Sequence, residues 1–424
     1  MIQKRGESQI ARTLCEQFSG PLLLDYVWWV LTKARERNLN RLYFMARDGY
    51  LLKEIAVRFC KRFDLPIECR YLYASRASLR MPSYHLIGEE ADELLTLGGY
   101  RVNPKSMLLR ANLDKEQRMQ VYDDCGWAEQ DESHLLTKDE HRAFSAALRR
   151  SEVFHRFVLD KSKAAYESTI GYFRQEGLFD QKTVAIVDSG WTGSIQRSLR
   201  QLLESAGYKG SITGFYFGMY ARPKSPEDGT YLTWHFDHET QPGIKIPFCN
   251  NLFECLLSAP HGMTTGYLYC DGAYAPDLLP TTQGEELVYI ETNIRLVLQY
   301  VDERLKTLDF DRFSQENMQK ETRRLIRRYM AHPHPDEVEW YGHSLFCDDT
   351  TEAYRGSLAD RAQVQLLKAY SIPARICRRL LGVKGSAIAE LYWPYGTIAL
   401  ASAWKRWWYW MNIYIWEWIR YVRG

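Results

Sequence analysis

The chain has 424 residues, 46% hydrophobic and 25% charged, the composition of an ordered globular protein long enough for two domains or for one α/β core with large additions. Its 55 basic and 53 acidic side chains leave a formal net charge of +2, which excludes a global electrostatic pull toward nucleic acid. Nine cysteines are scattered without a CxxC pair, which argues against a zinc ribbon or disulfide framework and for reduced thiols in a cytoplasmic protein.

The N-terminus, MIQKRGESQI, lacks the apolar core of a secretory signal, and no stretch of about 20 uncharged apolar residues predicts a spanning helix. Glu7 to Asn38 has helical apolar spacing through Leu14, Phe18, Leu22, Tyr26 and Val30. Arg41 to Ala46 (RLYFMA) reads as a short buried strand, Arg47-Asp48-Gly49 as a turn, and Tyr50 to Arg62 as an amphipathic helix. A second strand follows at Arg70 to Ala74, ending in Ser75-Arg76. Strand, turn, helix and strand in this order predict a βαβ unit in a parallel sheet.

Met81 to Gly177 reads as helical, with breaks near Gly98-Gly99, Asn103-Pro104 and Asp131-Glu132. The sheet resumes at Thr183 to Asp188, turns through Ser189 to Gly193 and enters a helix over Ser194 to Ser205. Ser211 to Tyr220 is another strand, and Ala221 to Gly243 a polar excursion bearing Pro and Gly. From Glu286 onward the pattern is helical again. The expected organisation is a first half of the α/β core at 1–80, a helical insertion at 81–180, the second half at 181–285, a helical region at 286–403 and an aromatic helix at 404–424.

Two turns carry chemistry. Four apolar residues deliver Asp188 to the carboxyl end of a strand, where α/β sheets place their ligands. Gly190 and Gly193 let the backbone approach a ligand closely, Thr192 and Ser194 supply hydroxyls, and the next helix offers unpaired N–H groups to a phosphate. No Lys follows the second glycine, so this is not a P-loop. At the first turn, Arg47 can pair with phosphate, Asp48 can hold Mg²⁺ through its hydration shell, and Gly49 permits an unusual backbone. Ala46-Arg47-Asp48 stands where a haloacid dehalogenase phosphatase would carry Asp-x-Asp, so that nucleophile is missing.

The pair of turns resembles the type I phosphoribosyltransferase fold. RDG at Arg47 to Gly49 looks like its pyrophosphate loop, and DSGWTGS at Asp188 to Ser194 like a shortened 5-phosphate loop in which Ser189 replaces the usual second acid. FMARDGYLL (Phe44 to Leu52), YLYASRAS (Tyr71 to Ser78), VDSGWTGSIQ (Val187 to Gln196) and FECLLSAPHGMTTGY (Phe253 to Tyr267) also resemble a family from bacterial surface-polysaccharide gene clusters. Its members are often labelled dehalogenase-like hydrolases, because many carry a phosphatase domain fused in front. The likeness is to the phosphoribosyltransferase module and covers most of residues 10 to 270.

That resemblance implies transfer of a 5-phosphoribosyl group from phosphoribosyl pyrophosphate to a sugar hydroxyl of a lipid-linked glycan. The product would be a β-ribofuranoside 5-phosphate, which a separate phosphatase dephosphorylates. Donor and Mg²⁺ would be held by Arg47, Asp48, Gly49, Ser75 and Arg76, with Ser189, Gly190, Trp191, Thr192, Gly193 and Ser194 around the 5-phosphate and Asp48 and Asp188 toward the metal. Asp188, Glu254 and His261 are the candidates for general base. The alternatives are a dehalogenase-type sugar phosphatase and a non-catalytic membrane scaffold of polysaccharide assembly.

The tail runs WKRWWYWMNIYIWEWIRYVRG and holds six of the 13 tryptophans. On a helix, Trp404, Trp407, Trp408, Met411, Tyr414, Ile415, Trp418 and Val422 share one face, with Lys405, Arg406, Asn412, Arg420 and Arg423 largely on the other. This predicts a helix lying in the interface of the inner face of the cytoplasmic membrane, the other possibility being a helix docked on the core.

Overall fold

A computed structural model describes residues 9–98, 102–127, 132–347, 355–380 and 391–423. Its centre is an all-parallel sheet of five strands, β1 (Arg41–Met45), β2 (Glu68–Leu72), β3 (Thr183–Trp191), β4 (Ser211–Met219) and β5 (Thr230–Phe236). The spatial order is β2-β1-β3-β4-β5, and helices cover both faces. The protein is therefore of the α/β class.

The three inner strands β1, β3 and β4 are largely apolar because they are buried on both faces, and their alternate residues serve two cores. Leu42, Phe44, Ala185, Val187, Phe215 and Phe217 face the first core. Helices α1 (Gly20–Glu36), α2 (Gly49–Phe63) and α5 (Glu285–Leu305) close over that side. Tyr43, Met45, Val184, Ile186, Ile212 and Tyr216 face the second, beneath α3 (Glu152–Gln175) and α4 (Ser194–Ser205). The region between β2 and α3 has a core of its own, built from Leu95, Met107, Val121, Phe144 and their neighbours. Arg197 on α4 holds it in place with a two-pronged ion pair to Glu90, at 2.7 and 2.8 Å.

The first core runs without interruption from Ala11 to Ile413, so the helical segment after residue 285 shares the packing of the sheet. A last helix, α6 (Ala403–Arg423), closes the chain.

Four strands differ from the sequence expectation, and a two-residue antiparallel pair, Leu345–Phe346 with Gly356–Ser357, interrupts the stretch after Glu286 expected to be helical. The polar excursion contains β5, an edge strand whose first residues are only half-buried and so lack the apolar run of the central strands. A hairpin, β6 (Thr264–Cys270) and β7 (Ala273–Leu278), occupies a stretch read without an element. β3 itself continues three residues past Asp188, because Gly190 and Trp191 still pair with Gly218 and Met219 of β4.

The strand order fixes where a ligand fits. From β1 the chain crosses through α2 to β2 on one side, and later returns to place β3 on the other. The crossovers diverge between β1 and β3, which opens a crevice at their carboxyl ends.

Candidate active site

Both chemistry-bearing turns open into that crevice. After Met45 the chain turns through Ala46, Arg47 and Asp48, with the Ala46 N–H donating to the Leu72 carbonyl at 3.0 Å. A side chain on Gly49 would meet the Phe44 carbonyl carbon at 2.6 Å, so glycine lets α2 start hard against β1. Asp48 occupies the N-cap position of α2 without capping it. Its carboxylate accepts the Ser189 hydroxyl instead.

On the neighbouring strand, a side chain at Gly190 (φ 116°) would fall 2.3 Å from the Gly218 carbonyl oxygen. The facing glycines allow β3 and β4 to stay paired to the rim, and this is why Ser189, Gly190 and Trp191 are strand rather than turn. The loop proper is Thr192-Gly193. Gly193, and not a hydroxyl residue, is the N-cap of α4, and no side chain caps this helix. The first N–H groups of α4 thus lack intrahelical acceptors and suit an anion. The Thr192 hydroxyl donates to Ser194 at 3.3 Å.

The crevice is a cavity of about 720 Å³ whose lining includes Arg47, Asp48, Arg76, Asp188, Ser189 and Glu254. Burial pushes the Asp188 carboxyl up to about 8, and the Asp48 charge adds to this against the N–H groups of Ser189 and Gly190 and the Arg76 guanidinium. Asp48 is also pushed up by burial, opposed by the Ser189 hydroxyl, Arg47 and Arg76. The main-chain carbonyl of Asp188 is held from below, where the buried Tyr26 hydroxyl donates to it at 2.8 Å and to Phe215 at 3.0 Å.

Two buried acids that resist ionisation fit a divalent cation, which would repay the cost of charging them. No group of three or more His, Cys, Asp or Glu side chains converges on a metal site among the described residues. A two-carboxylate site suits Mg²⁺, which keeps water and completes its shell with substrate phosphate oxygens.

The other expected residues are placed as follows. Trp191 donates its indole N–H to Glu254 at 2.6 Å, and its ring packs on Tyr220, Phe248 and Phe253. Ser75 lines the cavity, but its hydroxyl donates to the Thr264 carbonyl at 2.6 Å and accepts from the Ser78 N–H, as the cap of a short helix at Arg76–Arg80. His261 lies outside the main cavity, in an adjoining recess of about 60 Å³ that shares Arg47, Asp48 and Glu254 with it. A carbonyl only accepts, so His261 Nδ1–H donates to Gly262 at 2.8 Å and Nε2 accepts the Tyr71 hydroxyl at 2.7 Å. Both nitrogens are engaged, and burial lowers the pKa of this imidazole.

Sequence reading missed the far wall of the cavity. It is built from Lys245, Asn250, Asn251, Tyr392, Tyr395 and the inner face of α6. Ile413, Glu417, Arg420 and Tyr421 recur there at helical spacing, the signal that α6 has a second working face. Tyr409 and Ile413 are buried, and Tyr414, expected to face outward, stacks inward on Trp410 at 4.8 Å. The opposite stripe stays open, with Trp404 78%, Trp407 70%, Trp408 50% and Trp418 47% exposed. Among the described residues, no helix is long and apolar enough to cross a membrane.

No protein-family model matches the chain, and no curated protein matches its sequence.

Proposed function

We propose that this protein is a glycosyltransferase that moves a 5-phosphoribosyl group from phosphoribosyl pyrophosphate to a sugar hydroxyl of a lipid-linked glycan. One observation carries the reading. Arg47-Asp48 after β1, and Asp188 to Thr192 with Ser194 at the carboxyl end of β3 and the start of α4, line one cavity at the switch point of a parallel sheet. An acid pair beside an uncapped helix N-terminus suits a donor with a phosphate at one end and a metal-bound pyrophosphate at the other.

Asp48 and Asp188 would hold Mg²⁺, which supplies charge neutralisation to the departing pyrophosphate. Arg47 and Arg76 flank the same acids and would bind pyrophosphate oxygens, while Ser194 and the first N–H groups of α4 would cradle the 5-phosphate. The C1–O bond to pyrophosphate breaks with its electron pair leaving on pyrophosphate. The acceptor oxygen bonds C1 from the opposite face, giving a β-ribofuranoside, and its proton passes to a carboxylate. Asp188 is first choice for that base, because burial makes its carboxylate, once ionised, more basic than an ordinary aspartate. Glu254, bonded to Trp191, is the second. His261 acts through Tyr71 as a positioning residue.

The outward tryptophan stripe supports a seat on the membrane surface, where a lipid-linked acceptor resides. A partner phosphatase would remove the 5-phosphate.

Calorimetric titration with phosphoribosyl pyrophosphate, with and without Mg²⁺, is the direct test. Mg²⁺-dependent heat is expected, and no heat in either case sinks the donor assignment. Asp188→Asn should keep the fold and abolish transfer; unchanged turnover removes Asp188 from the role of base or metal ligand.

A further inference from the structure

The cavity continues beyond the two acids along a file of rings. Trp191 lies 5.8 Å from Tyr220, Tyr220 lies 6.3 Å from Tyr421, and Lys245 Nζ stands 5.8 Å from the Tyr421 ring centroid. Lys245 lines the cavity, is only 5% exposed, and among the described residues donates to one acceptor, the His238 carbonyl, at 2.7 Å. An ammonium has three donors, and one buried against a neutral carbonyl and an aromatic ring has its desolvation only partly compensated. Burial lowers the pKa of this lysine, and only the more distant Asp237 opposes that.

Arg420 lines the same cavity next to Tyr421, largely exposed, with its carboxylate neighbour Glu417 at 3.6 Å. Lys245 closes the short helix Pro242–Lys245, and Arg420 belongs to α6, so two separate elements bring positive charge to one wall. Tyr220, Tyr392, Tyr395 and Tyr421 give the cavity aromatic faces, and Asn250 and Asn251 give it amides. Such a lining suits a sugar ring, with apolar faces to stack and hydroxyls to bond.

We propose that Lys245 and Arg420 form a second anion subsite, which takes the phosphate or diphosphate that joins the acceptor glycan to its lipid carrier. The glycan part rests on the glycosyltransferase reading; the anion part rests on the two cations alone. The helix that supplies Arg420 and Tyr421 inward presents Trp404, Trp407, Trp408 and Trp418 outward. A carrier with its chain in the bilayer holds its phosphate at headgroup depth, where tryptophan also settles. One helix thus sets the subsite at the level at which the carrier's phosphate arrives.

The test uses the full chain and three probes, followed by calorimetry: farnesyl diphosphate, inorganic pyrophosphate and phosphoribosyl pyrophosphate with Mg²⁺. The two diphosphate probes are titrated with the donor present, so that its own site is filled. The wild type should bind farnesyl diphosphate, and Lys245→Gln and Arg420→Gln should each weaken it by about tenfold, the scale of one charge-assisted hydrogen bond. Donor affinity should stay within about twofold in both variants, since neither cation flanks the acid pair. Equal farnesyl diphosphate affinity in all three proteins overturns the subsite. Equal affinity for pyrophosphate and farnesyl diphosphate overturns the carrier and leaves a free anion as occupant. Lys245-dependent farnesyl diphosphate binding by a wild type that gives no heat with the donor would sustain the subsite and reject the donor reading instead. Arg420 is exposed, so its variant decides the matter should Lys245→Gln fail to fold.

Discussion

Ser189 donates its hydroxyl to the Asp48 carboxylate, so the residue that follows one buried acid is bonded to the other across the β1–β3 junction. That bond aims Asp48 into the cavity instead of letting it cap α2, and it opposes the burial that raises its pKa. Ser189→Ala should therefore leave Asp48 harder to ionise. Mg²⁺-dependent donor affinity should fall by about tenfold, the cost of one lost hydrogen bond to a charged group. Calorimetry measures this, and an unchanged affinity would mean that Asp48 needs no such partner.

The acid pair also sets a pH dependence. The Asp188 carboxyl in the folded protein is raised to about 8, far above its unfolded value. Its proton is held in the native state and released on unfolding. The stability it contributes is fully present below the ordinary carboxylate range and is lost as pH rises through about 8. Asp48 is pushed in the same direction. Without metal or donor, the wild type should lose melting temperature relative to Asp188→Asn as pH rises from about 5 to about 9, by about 2 °C or more. A difference that does not change with pH would show Asp188 already ionised in the free protein.

Donor binding should accordingly release protons. If Mg²⁺ and pyrophosphate ionise the pair, the heat of binding near neutral pH will vary with the ionisation enthalpy of the buffer. Asp188→Asn should remove most of that variation. A buffer-independent heat in the wild type contradicts the metal role of the pair.

Gly190 cannot carry a side chain. At φ 116°, with the Gly218 carbonyl oxygen 2.3 Å from any added Cβ, Gly190→Ala must part β3 from β4 at the cavity rim. The expected loss is about 2 kcal/mol or more in urea unfolding, with donor binding abolished. Wild-type stability in this variant would refute the close approach.

Membrane attachment is tested by the outward stripe alone. Removing α6 altogether would also remove Ile413, Glu417, Arg420 and Tyr421 from the cavity, so truncation confuses two effects. Replacing Trp404, Trp407, Trp408 and Trp418 with Ser touches only exposed positions. The variant should lose sedimentation with vesicles of phosphatidylglycerol and phosphatidylcholine while its melting temperature stays within about 2 °C of wild type. Undiminished sedimentation would place the membrane contact elsewhere.

The half of the cavity built on β1 and β3 was legible because its physics is local. VAIV and LYFM are continuous apolar runs, as strands buried on both faces must be, and each is followed by an acid that lines the cavity, Asp188 and Asp48. β5 was not legible, since TYLTWHF sits at an edge with its first half partly open and polar residues before it. The β6–β7 hairpin did carry a signal in Asp271-Gly272, both at positive φ as a two-residue hairpin turn demands. The extent of β3 escaped because Gly190 reads as a turn until Gly218 is seen opposite it. The far wall escaped for a different reason: nothing local connects Tyr421 with Tyr220 or Lys245. Such contacts exist only once the sheet has formed and the chain has wrapped around it.

Because Asp48 and Tyr421 wall the same cavity, its two sides are synthesised far apart in time. A nascent chain that has emerged only through β5 holds all five strands of the sheet, yet the cavity wall that α6 supplies has still to be made. A nonsense mutation shortly before Ile413 would freeze that half-built state. On the proposed glycosyltransferase reading, water would then reach the donor from the open side, and ribose 5-phosphate and pyrophosphate would be released in place of a lengthened glycan.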